Sequence, residues 1–136
     1  MAFKKLLYIL MILNKKILIT GANGLVGQAM CSLLQKKKIK FVGSVKNISE
    51  SSFSFDVAEM NISCKHSCKH VLNKFSPDII INTAAFTNVD QCEINKEECW
   101  MVNVVGVENL VMYCKRKNIH LVHISSDFVF DGLNGH

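Results

Sequence analysis

Three glycines spaced three residues apart are the part of this sequence with the clearest chemical use. Gly21, Gly24 and Gly27 follow the apolar run at residues 17–19 and precede a segment with helical periodicity. In such a strand–turn–helix unit the first glycine permits a tight turn, the second lets a pyrophosphate approach the backbone, and the third lets the helix pack closely on the strand. The free N–H groups and the positive dipole end of the helix then face the phosphates. The pattern predicts a dinucleotide site at residues 21–27, with a turn that binds no ligand as the alternative.

The residues after the second and third predicted strands bear on which dinucleotide is bound. Ser44 and Lys46 stand where proteins that select NAD usually place an acid for the ribose 2′-OH, and the next acid is Glu50. A hydroxyl and an ammonium suit a 2′-phosphate better, so we predict NADPH as the cofactor and NADH as an alternative. The competing interpretation is that both side chains simply face water. Asp56, with Val57 beside it, is predicted to follow a short third strand and could accept a hydrogen bond from an adenine amino group.

Small and hydroxylated residues follow the two later strands. The segment 82–85 (Asn-Thr-Ala-Ala) would let the chain pass close to a flat cofactor, where bulky side chains would clash with the ribose and the nicotinamide. Ser126 ends the last predicted strand, and its hydroxyl could hydrogen-bond a substrate carbonyl or alcohol during hydride transfer. The alternative role of Ser126 is to cap the end of the strand.

These residues are positioned by strands and helices that alternate along the chain. After the first strand the hydrophobic pattern predicts a helix over residues 25–38, whose buried side consists of Leu25, Val26, Met30, Leu33 and Leu34. A strand at 39–45 follows, and then a polar loop at 46–55, in which Phe53 and Phe55 are predicted to return to the core as a short third strand. The rest of the chain is predicted to form a helix at 61–75, a strand at 78–82, a helical region at 91–117 with an irregular start, and a strand at 119–125. Such alternation predicts an α/β fold with right-handed crossovers, a parallel sheet, and a ligand at the carboxyl ends of the strands.

Length, composition and charge fit one domain. The chain has 136 residues, of which 49% are hydrophobic, enough for a single core. Residues 1–13 are predicted to be an extension, and residues 14–136 a partial nucleotide-binding domain. The apolar stretch at 6–13 is far shorter than the roughly 20 residues that span a bilayer, so no membrane partner is expected. The lysines within residues 36–40 supply much of the net charge of +5, but no aromatic residues interleave with them, so no nucleic-acid partner is expected either.

The six cysteines are scattered through the chain and predict reduced thiols in a cytoplasmic protein rather than a disulfide framework. Cys64, His66, Cys68 and His70 lie close together and could offer soft ligands to zinc or copper. Their spacing is not that of a closed metal site, because His66 would point away from the helix face that Cys64 and Cys68 share. We therefore predict no metal, and a helix with incidental thiols.

Four parts of the sequence together resemble a known family. They are the glycines at 21, 24 and 27, residues 77–93 (Pro-Asp-Ile-Ile-Ile-Asn-Thr-Ala-Ala-Phe-Thr-Asn-Val-Asp-Gln-Cys-Glu), Asn103, and residues 123–132 (His-Ile-Ser-Ser-Asp-Phe-Val-Phe-Asp-Gly). This set resembles the dTDP-4-dehydrorhamnose reductase family of extended short-chain dehydrogenases, over residues 16–132. The resemblance implies a Rossmann-type, doubly wound parallel sheet. It also implies NADPH-dependent reduction of the 4-keto group of a deoxythymidine diphosphate sugar in dTDP-L-rhamnose biosynthesis.

The resemblance, with the strand-end positions above, gives one set of residues for the cofactor and one for the substrate. The cofactor set is Gly21, Asn23, Gly24, Leu25, Val26, Gly27, Ser44, Lys46, Asp56, Val57, Ala84, Ala85, Thr87 and Asn103. The substrate set is Thr87, Val89, Ser126 and Asp127. Ser126 falls where the family has a catalytic Thr, and it keeps the hydroxyl.

One departure from the family concerns the proton donor. The family uses a Tyr-x-x-x-Lys pair beyond the Phe-Asp-Gly segment, whereas this sequence ends at His136. Tyr113 and Lys117 have that spacing but precede the strand of Ser126, so we interpret them as ordinary helix surface. We expect a truncated reductase that carries the cofactor half, with a nucleotide sugar as substrate and a complementing chain or a second copy as partner. The alternatives are a non-catalytic nucleotide-binding or regulatory subunit and an inactive remnant, so enzyme activity of this chain by itself is left open.

Overall fold

The computed structural model describes residues 14–48 and 53–125. In chain order its elements are β1 (Ile17–Thr20), α1 (Leu25–Lys36), β2 (Phe41–Val45), β3 (Val57–Glu59), α2 (Lys65–Phe75), β4 (Ile79–Asn82), α3 (Val89–Ile94), α4 (Lys96–Trp100), a π-helical segment (Met101–Val105), α5 (Gly106–Lys117) and β5 (His120–His123). The predictions for residues 1–13 and for Ser126 and Asp127 fall outside the described residues.

The five strands form one parallel sheet in the order β3-β2-β1-β4-β5. Parallel neighbours need crossover connections, and α1, α2 and the helical region from α3 to α5 lie in three of these crossovers. The chain proceeds from β1 outward to β2 and β3, then returns to the other side of β1 with β4. The order therefore reverses between β1 and β4, which is where open α/β sheets bind ligands at their carboxyl edge. The predicted doubly wound parallel sheet is confirmed.

Alternate strand residues fill two cores, one on each face of the sheet. The first core is covered by α2 and α5 and contains a row of side chains across four strands: Leu18, Val42, Ile80 and Leu121. The second core is covered by α1 and lies over Ile17, Ile19 and Ile81. Because burying a side chain of this size contributes about 1.5–3 kcal/mol, these two cores hold the strand ends of the sheet in place.

The buried side of α1 differs from the predicted one. Its buried residues are Gly27, Cys31 and Leu34. Three residues that were predicted to be buried are exposed instead, namely Leu25, Val26 and Leu33. The reason is distance: α1 lies so close to the strand that a Cβ on Gly27 would be 2.1 Å from the carbonyl oxygen of Gly21. Only small side chains fit this edge of the helix, whereas the hydrophobic pattern favours the bulky ones.

The third strand is Val57–Glu59, so the prediction of a strand at Phe53 and Phe55 is wrong. Phe55 instead packs its ring 5.2 Å from the ring of Phe41 and 5.4 Å from the ring of Phe53. This ring occupies the space above Gly43, where a Cβ would be 2.6 Å from Cε2 of Phe55. The two phenylalanines contact the core as side chains of a loop, and the strand itself follows them.

The helical regions begin at other residues than predicted. α2 begins at Lys65 rather than near residue 61, because Asn61 first closes a turn. Its Oδ1 accepts a hydrogen bond from the Ser63 N–H at 3.0 Å, and its carbonyl oxygen accepts one from the Cys64 N–H at 3.0 Å. The predicted irregular start of the long helical region is present as the break at Asn95, between α3 and α4. Within residues 14–48 and 53–125, no helix combines the length and the apolar character that crossing a membrane requires.

Candidate functional site

A cavity of about 280 Å³ lies at the carboxyl edge of the sheet. It is lined by the glycine turn after β1, by Lys46 after β2, by residues 60–62 after β3 and by residues 83–86 after β4. A wider depression of about 700 Å³ continues from it along α3 and α4 and shares Lys46, Asn61 and Glu98 with the cavity. The two spaces join the ends of four parallel strands, so one elongated ligand can contact all four.

The three glycines of the turn differ in what an added side chain would meet. Gly21 has a φ of 66°, and a Cβ there would be 2.7 Å from the backbone of Ala84. Gly27 is in contact with the carbonyl of Gly21, as described above. Gly24 has ordinary extended backbone, and a Cβ there would meet only the Gly21 carbonyl oxygen, at 3.3 Å. The first and third glycines are therefore needed by the fold, while the second leaves open space at the cavity.

The N-terminus of α1 faces this cavity with its N–H groups uncapped by any side chain. Gly24 is the N-cap residue, and it offers no side chain to accept hydrogen bonds from the first turn. The turn is held from outside the cavity, because Nε2 of Gln28 donates a hydrogen bond to the Asn23 carbonyl oxygen at 2.7 Å. Leu25 and Val26 point into solvent, so what they offer a phosphate is their backbone N–H groups.

A buried hydrogen-bond network joins the ends of β1, β4 and β5. Asn82 is 0% exposed, and its Oδ1 accepts hydrogen bonds from the Thr20 hydroxyl and from the Ala84 N–H. Its Nδ2 is 3.0 Å from Nδ1 of His123. Because an amide nitrogen only donates, Nδ1 of His123 is the acceptor in this bond. The Thr83 hydroxyl donates to the Thr20 carbonyl oxygen at 2.6 Å, so the network fixes the first residues of the 83–86 wall.

Asn103 holds the other end of that wall from the π-helical segment. Its Oδ1 accepts a hydrogen bond from the Phe86 N–H at 2.8 Å, and its Nδ2 donates to the Phe86 carbonyl oxygen at 2.9 Å. Two hydrogen bonds to one residue fix both the position and the orientation of the Phe86 backbone. π-Helical turns often occur at functional sites. Asn103 is thus placed to position the cavity wall through Phe86.

Two predicted cofactor ligands lie away from the cavity lining. Ser44 is inside β2 and 1% exposed, with its hydroxyl directed at the Ile19 carbonyl oxygen, so it does not face a ligand at the sheet edge. Asp56 precedes β3 instead of following it, and its carbonyl oxygen accepts a hydrogen bond from the Gly43 N–H at 2.9 Å. Ser44 lies within β2, whose predicted end at Val45 was correct, so its burial rather than the strand boundary keeps it from the cavity, whereas Asp56 was misplaced because β3 starts at Val57.

The structure places Met60, Asn61 and Ile62 where the prediction had placed Asp56 and Val57. These three residues follow the carboxyl end of β3 and line the cavity. Nδ2 of Asn109 donates a hydrogen bond to the Ile62 carbonyl oxygen at 2.9 Å, which fixes this part of the wall. The sequence carries no motif at these positions. The only signal that could have identified them was the end of the third strand, which was assigned too early.

The remaining predicted residues divide between the cavity and its rim. Ala84 and Ala85 line the cavity, as does Lys46, whose Nζ lies 3.1 Å from Oε1 of Glu98. Thr87 and Val89 are exposed near the start of α3, where Val89 is 66% exposed. They lie close along the chain to the 83–86 wall without closing the cavity.

Tyr113 makes a structural contact between two helices. Its hydroxyl donates a hydrogen bond to Oδ1 of Asn73 at 2.7 Å and so joins α5 to α2. Burial raises the pKa of Tyr113, which makes this phenol a poorer proton donor to a substrate. Tyr113 therefore belongs to a contact between two helices and is partly buried, which differs from the predicted ordinary helix surface.

The four Cys and His residues near the start of α2 do not converge. Cys68 is 2% exposed and its Sγ lies 3.3 Å from the Ile62 carbonyl oxygen, whereas Cys64, His66 and His70 are exposed. Across residues 14–48 and 53–125, no three His, Cys, Asp or Glu side chains are grouped so that they could hold a metal ion.

Fold and cavity together define the class of this protein. A parallel sheet in the order β3-β2-β1-β4-β5, with a glycine turn and a helix N-terminus after the central strand, is the arrangement of a Rossmann-type nucleotide-binding domain.

Comparison with known proteins gives three informative relatives. The dTDP-4-dehydrorhamnose reductase of Aggregatibacter actinomycetemcomitans is 36% identical over 117 residues, which are 86% of this chain and 36% of the relative. Methionine adenosyltransferase 2 subunit beta of Pongo abelii is 30% identical over 121 residues, which are 89% of this chain and 35% of the relative. The solved structure of dTDP-4-dehydrorhamnose reductase from Bacillus anthracis in complex with NADP matches with a TM-score of 0.74 and 28% identity, covering 88% of this chain and 39% of that one.

The family assignment follows from a match over nearly the whole chain. The family model described as "RmlD substrate binding domain" matches residues 15–136, and this chain belongs to that family. The resemblance to dTDP-4-dehydrorhamnose reductases predicted from the motifs is thereby confirmed. The chain spans less than two fifths of the length of its curated relatives.

Proposed function

We propose that this chain is the cofactor-binding part of a dTDP-4-dehydrorhamnose reductase-like enzyme that reduces the 4-keto group of a nucleotide sugar with NADPH. The observation that carries the proposal is the open space beside Gly24, between the N-terminus of α1 and the ends of the neighbouring strands. The reductase of Aggregatibacter and the NADP complex of the Bacillus anthracis enzyme support the choice of substrate class and cofactor.

The sheet order supports one orientation of the dinucleotide. The pyrophosphate would lie over the glycine turn, where the N–H groups of α1 are uncapped. The adenosine half would then extend past Lys46 toward residues 60–62, because β2 and β3 lie on that side of β1. The nicotinamide half would extend toward residues 83–86, on the side of β4. The small side chains of Ala84 and Ala85 leave room there for a flat ring.

In the proposed reaction, bound NADPH supplies the hydride that reduces the sugar carbonyl. Thr87, Val89, Ser126 and Asp127 are proposed to border the sugar, and the Ser126 hydroxyl to hydrogen-bond the keto oxygen. The developing alkoxide also needs a proton. Because Tyr113 is already bonded to Asn73, we propose that the proton comes from a Tyr-x-x-x-Lys pair outside the described residues, on the same protein or on a complementing chain.

Titration with NADPH tests the cofactor proposal directly. We expect the chain to bind NADPH, and Gly24→Val to weaken the binding at least about tenfold, or about 1.4 kcal/mol, because the new side chain occupies the pyrophosphate position. The measurement is the change in NADPH fluorescence on addition of protein.

Ala29→Val is the matched control, because Ala29 is an exposed residue of the same helix. It adds the same β-branched side chain away from the cavity and should leave NADPH affinity unchanged. Thermal unfolding of both variants separates loss of binding from loss of fold. A wild-type chain that binds no NADPH, or equal affinities for the two variants, would contradict the proposal.

Lys46 is expected to favour NADPH over NADH. Its ammonium group lies at the cavity and is paired with Glu98, so a ribose 2′-phosphate would provide a second, doubly charged partner. Lys46→Ala should lower NADPH affinity about three- to tenfold at low salt and leave NADH affinity nearly unchanged. Lys37→Ala, at the opposite end of α1, is the control and should change neither affinity. An equal loss of affinity for NADPH and NADH would show that Lys46 does not bind the 2′-phosphate.

A non-catalytic nucleotide-binding subunit is the second candidate function. It is favoured by the 30% identity to methionine adenosyltransferase 2 subunit beta and by the engagement of Tyr113 with Asn73. The two functions predict different outcomes when the chain is mixed with NADPH, the keto-sugar and a chain carrying Tyr-x-x-x-Lys. A fall in NADPH absorbance supports the reductase, whereas NADPH binding without oxidation supports the subunit.

A further inference from the structure

Two cysteines outside the cavity lie in direct contact. Sγ of Cys92 on α3 and Sγ of Cys99 on α4 are 2.9 Å apart, and both residues are partly exposed. The S–S bond of a disulfide is about 2.05 Å long, so the two sulfurs need to move less than about 1 Å closer to form one. The remaining four cysteines are not in such a pair: Cys31, Cys68 and Cys114 are buried and Cys64 is exposed.

The break at Asn95 is what brings these sulfurs together. In one continuous helix, residues seven apart share a face but lie about 10.5 Å apart along the axis. Asn95 has φ and ψ of −112° and 56°, which end α3 and let α4 start in a new direction. Its N–H donates a hydrogen bond to the Gln91 carbonyl oxygen at 2.7 Å, so the bend is itself fixed. The contact between the thiols is therefore a product of the folded chain and not of their spacing alone.

We propose that Cys92 and Cys99 are a thiol modification site that forms a reversible disulfide by exchange with a low-molecular-weight disulfide. The thiolate of one cysteine attacks the small disulfide, forms a mixed disulfide and releases one small thiolate, which takes up a proton. The thiolate of the second cysteine then attacks the mixed disulfide and releases the second small thiol. The two protein thiols lose two electrons and two protons in total, and the small disulfide is reduced to two thiols.

The contact between the two thiols also affects how readily Cys92 reacts. The bond with Cys99, more than partial burial, raises the pKa of the Cys92 thiol to about 11. Because a thiolate is the attacking species, this bond slows a first attack by Cys92, and the exchange needs only one of the two thiols to open it. Cys31 and Cys68 are protected by a different cause, since burial raises the pKa of each thiol to about 11.

The disulfide would act on the cavity wall through Phe86. The Cys92 thiol now lies 3.6 Å from the Phe86 carbonyl oxygen as a donor, and Nδ2 of Asn103 contacts both that oxygen and Sγ of Cys99. Oxidation removes the thiol proton from Cys92 and with it the hydrogen bond to the Phe86 carbonyl oxygen. This loss weakens the hold on Phe86, so we expect lower NADPH affinity in the oxidised chain. This consequence rests on the proposed function, whereas the disulfide itself does not.

Peptide mapping of the full chain tests the disulfide. Trypsin cleaves at Lys74, Lys96 and Lys115, which places Cys92 in peptide 75–96 and Cys99 in peptide 97–115. After incubation with oxidised glutathione and blocking of free thiols, we expect these peptides to be joined, with fragmentation assigning the bond to Cys99 rather than Cys114. After reduced glutathione the peptides should be separate. Cys92→Ser and Cys99→Ser should abolish the joined species, and Cys64→Ser should retain it. Unjoined peptides after oxidation of the wild-type chain would overturn the proposal.

The consequence for the cavity has its own measurement. NADPH affinity of the oxidised wild-type chain should be about two- to fivefold lower than that of the reduced chain. The Cys92→Ser chain should show no difference between the two conditions. Trp100, which follows Cys99 and is the only tryptophan, reports oxidation of the pair independently of NADPH through its fluorescence. Equal NADPH affinities in the two redox states would overturn the link to Phe86 and leave the disulfide standing.

Discussion

Gly27→Ala should lower the free energy of unfolding by about 3 kcal/mol and the melting temperature by about 10 °C. One methyl group is enough because the space beside Gly27 is occupied by backbone. The new Cβ would be 2.1 Å from the Gly21 carbonyl oxygen, 2.9 Å from its carbon and 3.0 Å from Cα of Ala22. A flexible side chain could rotate away from such a contact, whereas a peptide group cannot.

The cost of this substitution extends to both sides of the turn. To relieve the clash, either α1 moves away from the sheet or the turn at Gly21 moves toward Ala84. The first movement exposes Cys31 and Leu34, which are the buried side chains of α1. The second is blocked because Gly21 already lies against the backbone of Ala84. We therefore expect Gly27→Ala to lose NADPH binding together with stability.

Gly24→Ala is the matched control for this prediction. Its Cβ would meet only the Gly21 carbonyl oxygen, at 3.3 Å, and the backbone at Gly24 is ordinary extended structure. It should cost less than about 1 kcal/mol, mostly as a poorer N-cap. Urea unfolding of the two variants, followed by circular dichroism, gives the comparison. If Gly27→Ala is no less stable than Gly24→Ala, the close approach of α1 to the turn is not present.

Asn82→Leu should lower the free energy of unfolding by about 2–4 kcal/mol. Leucine keeps the branch point of asparagine at Cγ and is somewhat larger, so the change leaves no cavity and removes all the hydrogen bonds of the side chain. It leaves the buried Thr20 hydroxyl and the partly buried Ala84 N–H without the partner that Asn82 provides, whereas Nδ1 of the exposed His123 bonds water instead. Buried polar groups that lose their partners cost more than the bonds contribute when formed, because the groups remain away from water.

Asn73→Leu is the control for the buried network. Asn73 also accepts a hydrogen bond from a side chain, the Tyr113 hydroxyl, but it does so at the exposed surface. Water replaces that partner, so the expected change is within about 0.5 kcal/mol. Differential scanning calorimetry of both variants gives the two melting temperatures. Equal destabilisation by the two leucines would mean that the network around Asn82 contributes no more than a surface hydrogen bond.

Much of the architecture could be predicted because its signals are local. Apolar runs at 17–19 and 79–81 mark strands that are buried on both faces, and the glycines mark the turn between β1 and α1. The order of strands and helices then constrains the crossovers and places the ligand at the carboxyl edge. The positions that line this edge within the first turn and after β4 could be predicted for the same reason.

The errors occurred where packing at close range overrides hydrophobic pattern. Phenylalanine is a residue type that favours strands, but the ring of Phe55 fills the space above Gly43 instead. This contact could not be predicted from either residue alone. Leu25 has the hydrophobic pattern of a core residue of α1, yet Gly27 and Cys31 face the sheet at that end of the helix, because Gly27 lies against Gly21. Because the third strand was assigned too early, the adenine contact was expected at Asp56, which precedes β3, whereas Asn61 after that strand lines the cavity. The thiol pair at Cys92 and Cys99 depends on a helix break whose direction is set by the fold.

The central position of β1 has a consequence for how the domain opens. Its four residues are buried, and it is hydrogen-bonded to β2 on one side and to β4 on the other, whereas β3 and β5 have one strand neighbour each within the described chain. Fluctuations that release a strand therefore begin at the rim of the sheet, and the amides of β1 are among the last to meet solvent. The glycine turn follows β1 directly in the chain, so it is attached to the strand that opens last. A molecule whose outer strands have frayed thus still keeps the glycine turn intact, and a ligand that contacts this turn alone would bind the frayed and unfrayed states equally and leave the fraying unchanged.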